Sequence, residues 1–323
     1  YGLHISRQNM ANWTIQCADR YLAVLYDYLH EKMYHYHVLQ ADETPVLVNK
    51  DGRSAGSKSF MWVYRTGRMY TDRQIVLYEY QKTRNASHPR EFLKDFKGIC
   101  VTDGYQVYHT IENEREDLKI SGCWSHARRR FDEAVKALPK AARNGSRAYL
   151  ALSMIQAICR EEKLLKELPS EERKLRRQLS VRPLVEAYFT WAKETIRKVP
   201  QKSKTWEGFQ YSMNQEKYLK VFLDDGEVPM DNNAAEQSIR GFCIGKKNWV
   251  MIDTVAGAKS SAIIYSIAET AKANNLKPYD YFEHLLSEIP KHLDDTDRSF
   301  LDDLLPWSPK LPANCRKTGK EVK

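Results

Sequence analysis

Apolar positions change their period along the 323-residue chain, and the changes divide it. Over residues 1–38 they recur at helical spacing. Met10, Trp13, Cys17, Tyr21, Val24, Leu25 and Leu29 form one stripe, and Ser6 is an N-cap candidate. The period then shortens to that of strands. Residues 36–48 are rich in β-formers, with an interruption expected at Ala41-Asp42-Glu43-Thr44-Pro45. Residues 59–65 and 74–80 predict two further strands, joined through Asp51-Gly52-Arg53 and Thr66-Gly67-Arg68 as tight turns. A short helix is expected over 89–96. Residues 98–103 are almost wholly apolar, which predicts a strand buried on both faces. After a helical turn, residues 119–124 predict a fifth strand.

The order β-β-β-α-β-α-β predicts an α/β fold: a ribonuclease-H-like mixed five-stranded sheet with flanking helices. From 131 to about 225 the pattern is helical throughout, so an all-helical insertion interrupts the sheet domain. Beyond it, residues 232–242 predict a helix with Ala235, Ile239 and Phe242 as its buried stripe. Asp231 is its expected N-cap, and Asn233, Glu236, Gln237 and Arg240 share its opposite face. Residues 257–274 predict a helix rich in small side chains, and 278–289 another. The expected organisation is a helical lead-in over 1–38, the first part of the sheet core over 39–130, the insertion over 131–228, the second part of the core with C-terminal helices over 229–290, and a C-terminal tail over 291–323, Pro- and Lys-rich and expected to be mobile from Pro306.

Composition narrows the classes without choosing among them. Hydrophobic residues make up 42% of the chain, an ordinary globular share, and the length suits about two domains. The net charge of +9 favours a polyanionic partner. No run of apolar residues is long enough to span a bilayer. The basic excess is clustered at Arg128-Arg129-Arg130, over 173–177, over 193–204, at Lys246-Lys247 and over 310–323. Six scattered cysteines without a CxxC pair argue for a reducing compartment rather than a disulfide framework.

Three acids stand out by their context. Asp42 interrupts the first strand; because side chains alternate, only one of Asp42 and Glu43 can serve a given site. Asp103 ends a buried apolar strand, where a charge is costly unless it is paired or holds a cation. Glu236 lies on the helix after the insertion. Each has an ordinary alternative: a turn cap for Asp42, an Asx turn before Gly104 for Asp103, and an i,i+4 pair with Arg240 for Glu236. Taken together on one fold, they form an all-oxygen donor set that suits Mg²⁺. Two such ions can clamp the attacking and leaving oxygens of a phosphoryl displacement. Arg240, Lys246 and Lys247, and separately His126, Arg128 and Arg129, are candidate phosphate contacts. Cys123 and His126 have zinc-ligand spacing, but no second Cys/His pair accompanies them. Trp124 and Trp249 are expected to pack rather than stack on bases.

At this point motifs combine. Residues 41–46 (Ala-Asp-Glu-Thr-Pro-Val), 102–105 (Thr-Asp-Gly-Tyr), 123–131, 231–240 (Asp-Asn-Asn-Ala-Ala-Glu-Gln-Ser-Ile-Arg), 245–249 and 304–307 occur in an order that resembles the DDE transposase of the insertion sequence 66 family. The resemblance covers nearly the whole chain. It implies a ribonuclease-H-like core with a helical insertion before the third acid, and Asp42, Asp103 and Glu236 as the catalytic and metal-binding triad. Asp103 and Glu236 are more than twice as far apart in sequence as Asp42 and Asp103, because the helical block lies between them. The resemblance also implies two Mg²⁺ ions, with Mn²⁺ as a substitute. Double-stranded DNA would be the partner, both as element ends and as target, with contacts from His126, Arg128, Arg129, Asn233, Arg240, Lys246 and Lys247. A homo-oligomer is implied in the active state, in the bacterial cytoplasm at the nucleoid and without membrane attachment. Family members carry a further N-terminal DNA-binding region that this chain does not include. Gly241 and Lys246 depart from the family pattern, which often has Pro and Arg there. A non-catalytic regulatory relic and a ribonuclease-H-type nuclease are the competing readings.

Overall fold

The structure is a computed structural model that describes residues 4–54 and 56–317. In chain order the elements are α1 (Arg7–Cys17), α2 (Ala23–Met33), β1 (Val38–Lys50), β2 (Lys58–Thr66), β3 (Val76–Gln81), α3 (Ser87–Phe92), β4 (Gly98–Val101), α4 (Gln106–Asn113) and β5 (Leu118–Ser121). Helices α5 (Trp124–Ala137), α6 (Lys140–Arg143), α7 (Arg147–Leu164), α8 (Ser170–Arg176), α9 (Arg182–Thr195) and α10 (Lys204–Leu219) follow. The chain continues through α11 (Asn233–Trp249), β6 (Ile252–Thr254), α12 (Val255–Ala273), α13 (Pro278–Glu288) and α14 (Phe300–Leu304). The fold is mixed α/β. Its sheet has six strands in the order β3-β2-β1-β4-β5, with β6 beside β1. β2 and β3 are antiparallel, whereas β1, β4 and β5 run parallel.

The chain forms two compact units. One comprises Tyr1–Tyr36, Ala41–Phe96 and Ala235–Lys323; the other comprises His37–Gln40 and Lys97–Ala234. In the first, Ala235, Ile239 and Phe242 of α11 pack with Val46 and Val48 of β1, Met61 and Val63 of β2, and Val76 and Tyr78 of β3. The stripe expected on α11 is therefore the buried one. Ser266 and Thr270 of α12 reach the backbone of β3: the Tyr78 amide donates to Ser266 Oγ at 2.7 Å, and the Val76 amide donates to Thr270 Oγ1 at 2.9 Å. Small residues on α12 thus bring hydroxyls onto groups that an edge strand would otherwise leave open.

In the second unit the core of the helical block gathers around Trp124, which is fully buried. Its indole edge meets Tyr188 and Phe189 at ring separations of 5.6 and 5.9 Å, and its Nε1 donates to the Leu219 carbonyl at 2.8 Å. Packing is the role expected for this tryptophan.

Several sequence expectations need correction. β1 is continuous through Ala41–Pro45, because Pro45 is exposed and a proline at such a position need not leave a buried amide unmet. A sixth strand, only three residues long, was too short to show a period. α11 does not end at Phe242 but runs on to Trp249. Glycine permits this: a Cβ at Gly245 would lie 2.3 Å from Tyr265 Oη of α12 and 3.1 Å from Trp249 Nε1. The lead-in stripe is only partly buried. Leu25 and Leu29 are in the core, but Met10 and Trp13 are 48% and 52% exposed. A wide turn over Ala18–Leu22 rotates the helix between the two segments.

The tail expected to be mobile is packed as far as it is described. Tyr281 Oη donates to the Leu304 carbonyl at 2.6 Å, the Lys277 amide donates to the Cys315 carbonyl at 2.8 Å, and Cys315 is fully buried. Residues 318–323 lie outside the described residues. Among the described residues, no helix is long and apolar enough to cross a membrane.

Half of the basic cluster over 173–177 is not surface: Lys174 and Arg176 are exposed, but two arginines are buried. Arg173 is 7% exposed and Arg177 is 0% exposed. Arg173 bonds the carbonyls of Leu165 (3.1 Å) and Leu168 (2.6 Å), so its charge ends a helix rather than meeting a polyanion.

Glu79 on β3 stands opposite Trp62 of β2, and burial pushes its carboxyl up to about 7. An acid raised in the folded state binds more protons there than in the unfolded chain. Stability therefore falls as pH rises from the ordinary carboxylate range through 7. Glu79→Gln is expected to stabilise the chain by up to about 3 kcal/mol at pH 8 and not at pH 4, measured by urea unfolding at the two pH values.

Candidate active site

Asp42 lies within β1, half-buried, and its Oδ1 accepts the Glu43 amide at 2.9 Å. Glu43 points to the other face, where its Oε1 accepts Arg84 Nε at 2.7 Å. Glu43 is thereby neutralised within its own unit. Asp42 and Glu43 thus make different contacts from the two faces of β1.

α11 lies along β1 in the same unit. Thr44 Oγ1 meets Cys243 Sγ at 3.5 Å, and Lys246 Nζ donates to the Pro45 carbonyl. The two elements run in the same direction through these contacts. Stepping back along both leads to Asp42 on the strand and Glu236 in the first turn of the helix, at the same end of the pair. Glu236 is half-buried. Its position in the first turn also suits an acid, since the helix dipole favours negative charge there.

Asp103 lies in the second unit, two residues beyond the end of β4. Its Oδ1 accepts the Tyr105 amide at 2.9 Å, which is the Asx turn foreseen as the ordinary alternative. This turn occupies one carboxylate oxygen. In the parallel pairing of β1 with β4, Val38 pairs with Ile99, Leu39 with Cys100 and Gln40 with Val101. Gln40 and Val101 each precede an acid of the expected triad by two residues.

The candidate DNA contacts divide between the units. On α5, Arg128 and Arg129 are exposed and His126 is half-buried. On α11, Arg240 and Lys247 are exposed. Lys246 is engaged with the backbone of β1, which makes it a strut for that helix. Asn233 opens α11 and donates its amide to Asp231 Oδ1 at 3.0 Å, so Asp231 serves the helix start as expected. Cys123 is fully buried, and its sulfur accepts the Asn232 amide at 3.2 Å.

Sequence reasoning missed two polar residues that hold this region of the second unit together. Gln40, 0% exposed on β1, donates through Nε2 to Asn232 Oδ1 at 3.2 Å and to the Asp231 carbonyl at 3.3 Å. Asn232 is equally buried. A glutamine in the otherwise apolar run Val38-Leu39-Gln40-Ala41 was the available signal, since a buried amide demands a partner.

Residues 1–260 match the family described as Transposase IS66 family, and residues 266–307 match the IS66 C-terminal element. The chain belongs to the IS66 transposase family. Curated relatives include three uncharacterized proteins of Sinorhizobium fredii (strain NBRC 101917 / NGR234). Protein y4qI is 28% identical over 97% of this chain and 58% of its own length. Protein y4jD is 25% identical over 95% of this chain and 60% of its own length. Protein y4hP is 25% identical over 95% of this chain and 56% of its own length. The chain thus spans less than two thirds of these relatives.

Proposed function

We propose that this chain is the catalytic part of a DNA transposase. It would cleave phosphodiester bonds at the ends of a mobile element and transfer the strands to target DNA, with Asp42, Asp103 and Glu236 as its acids. One observation carries the reading beyond family membership: within one unit, β1 and α11 run in the same direction, so Asp42 on the strand and Glu236 in the first turn of the helix lie toward the same end of the pair. The strand order, with an antiparallel pair followed by parallel strands, supports a ribonuclease-H-like core.

The donor set fits a divalent cation. Asp42, Asp103 and Glu236 offer hard oxygen ligands, and the adjacent Glu43 is already paired with Arg84. A divalent ion held by the three acids would supply Lewis-acid polarisation of the scissile phosphate and ionisation of water or a 3′-hydroxyl. The chain's own residues would orient the reactants. Asp42 is held by β1 and Glu236 by the first turn of a long helix whose apolar stripe is locked in the core, so both carboxylates are pre-aimed. Arg240 and Lys247 on α11, and Arg128 and Arg129 on α5, would bind phosphates and neutralise backbone charge without reading sequence.

The competing nuclease reading is separated by substrate. With Mg²⁺ or Mn²⁺, the full-length protein should nick and join duplex DNA carrying the element's ends in preference to an RNA–DNA hybrid of the same sequence. Equal or faster cutting of the hybrid would refute transposition as the activity.

A further inference from the structure

The turn that carries Asp103 is held by a helix of the inserted block. Tyr211 and Gln215 lie four residues apart on α10 and share a face. Tyr211 Oη donates to the Asp103 carbonyl at 3.0 Å, while Asp103 Oδ1 accepts the Tyr105 amide at 2.9 Å. Both the backbone and the side chain of the acid are thus engaged.

Gly104, the next residue, has φ of +92° and is pressed against the same helix face. A Cβ there would lie 3.0 Å from Gln215 Oε1 and 3.1 Å from Tyr211 Oη. Gln215 is 7% exposed, and its Oε1 accepts no hydrogen bond among the described residues. A buried acceptor without a donor is unfavourable. Its amide fills the space that glycine leaves, so the cost maintains a close approach to the turn. On the other side, the Arg130 guanidinium of α5 lies 4.5 Å from the centre of the Tyr211 ring.

We propose that Tyr211 is a positioning residue for Asp103, with Gln215 as the wall that keeps the Asp103–Gly104 turn in place. The helical insertion then does more than scaffold DNA or a second protomer: it sets the aim of one acid of the proposed site. This inference rests on Asp103 being a metal ligand. Arg130 belongs to the basic run of α5, so phosphate binding on that helix would act on the ring that holds the turn.

The test uses the 323-residue chain, with Tyr211→Phe retaining the ring and its contact with Arg130. Two quantities are read: hydrogen exchange of the Tyr105 amide, and Mn²⁺ affinity by calorimetry. Loss of one hydrogen bond is expected to speed exchange at Tyr105 about fivefold and to weaken Mn²⁺ binding by a similar factor, with exchange along α5 and the rest of α10 unchanged. Parental exchange at Tyr105, or faster exchange spread evenly through α5 and α10, would overturn the positioning role. Asp103→Asn serves as the control for the underlying reading. If it binds Mn²⁺ as tightly as the parent, Asp103 is not a metal ligand, and the exchange result still decides whether Tyr211 holds the turn.

Discussion

Asp42→Asn and Glu236→Gln are each expected to lower Mg²⁺-dependent cleavage of element-end DNA by about a thousandfold while leaving duplex binding intact. The magnitude follows from the role. A metal-bound phosphoryl group gains several kcal/mol of charge stabilisation in the transition state, and about 4 kcal/mol corresponds to three orders of magnitude in rate. Both substitutions keep the side-chain shape and remove one negative charge, so β1 and the first turn of α11 should retain their packing. Binding should persist because the proposed phosphate contacts are Arg128, Arg129, Arg240 and Lys247, not the acids. Gel-shift and nicking assays on the same preparations separate the two effects. Glu43→Gln is the internal control: it loses a pair with Arg84 on the other face of β1 and should cut at a rate near that of the parent. Cleavage by Glu236→Gln at the parental rate would remove that residue from the site.

Arg177→Met is expected to destabilise the chain by about 3–5 kcal/mol, the largest stability effect foreseen for a single basic residue here. Arg177 is fully buried. Its Nε donates to Glu162 Oε2 at 3.0 Å, and its Nη1 donates to the Phe222 and Asp225 carbonyls at 2.7 and 2.6 Å. Methionine would leave a buried carboxylate and two carbonyls without these donors. Arg176, the neighbouring residue, is exposed, and its ion pair among the described residues is a long one, with Glu172 at 3.9 Å. Arg176→Met should therefore change stability by less than about 0.5 kcal/mol. Urea unfolding of both variants makes the comparison. Adding Glu162→Leu to Arg177→Met should recover part of the loss, because an apolar pair leaves no buried charge behind.

These two arginines show where sequence reading reaches its limit. Side by side in one basic run, they looked like the same surface. The period of α8 and the turn after it places one inward and one outward, but only a packed partner such as Glu162 makes the inward position tolerable. The α11 stripe was legible because Ala235, Ile239 and Phe242 repeat at helical spacing and have no polar atoms to place. The end of that helix was not legible. At Gly245 the missing Cβ serves the close approach of Tyr265, a contact that local sequence does not show. Trp13 and Met10 matched a helical stripe equally well, yet they are largely exposed, because a wide turn at Ala18–Leu22 shifts the face that α2 buries.

The candidate site divides in the same way. The types of its residues were determined by sequence alone: acids at the end of an apolar strand, within a second strand and in the first turn of a helix are chemically conspicuous wherever they fold. Which of Asp42 and Glu43 pairs with Arg84 was decided by tertiary structure, because alternation says that the two differ in face but not which face meets that cation. The parallel register that pairs Gln40 with Val101 was likewise decided by tertiary structure, since strand pairing depends on hydrogen bonds between segments far apart in the chain. So was the hold of Tyr211 on the Asp103 turn, a contact across more than a hundred residues. Local sequence carries periodicity and charge, and these determined the elements and the chemistry they bear. Burial and long-range pairing are properties of the packed chain, and they decided which of those groups are used for structure and which remain for function.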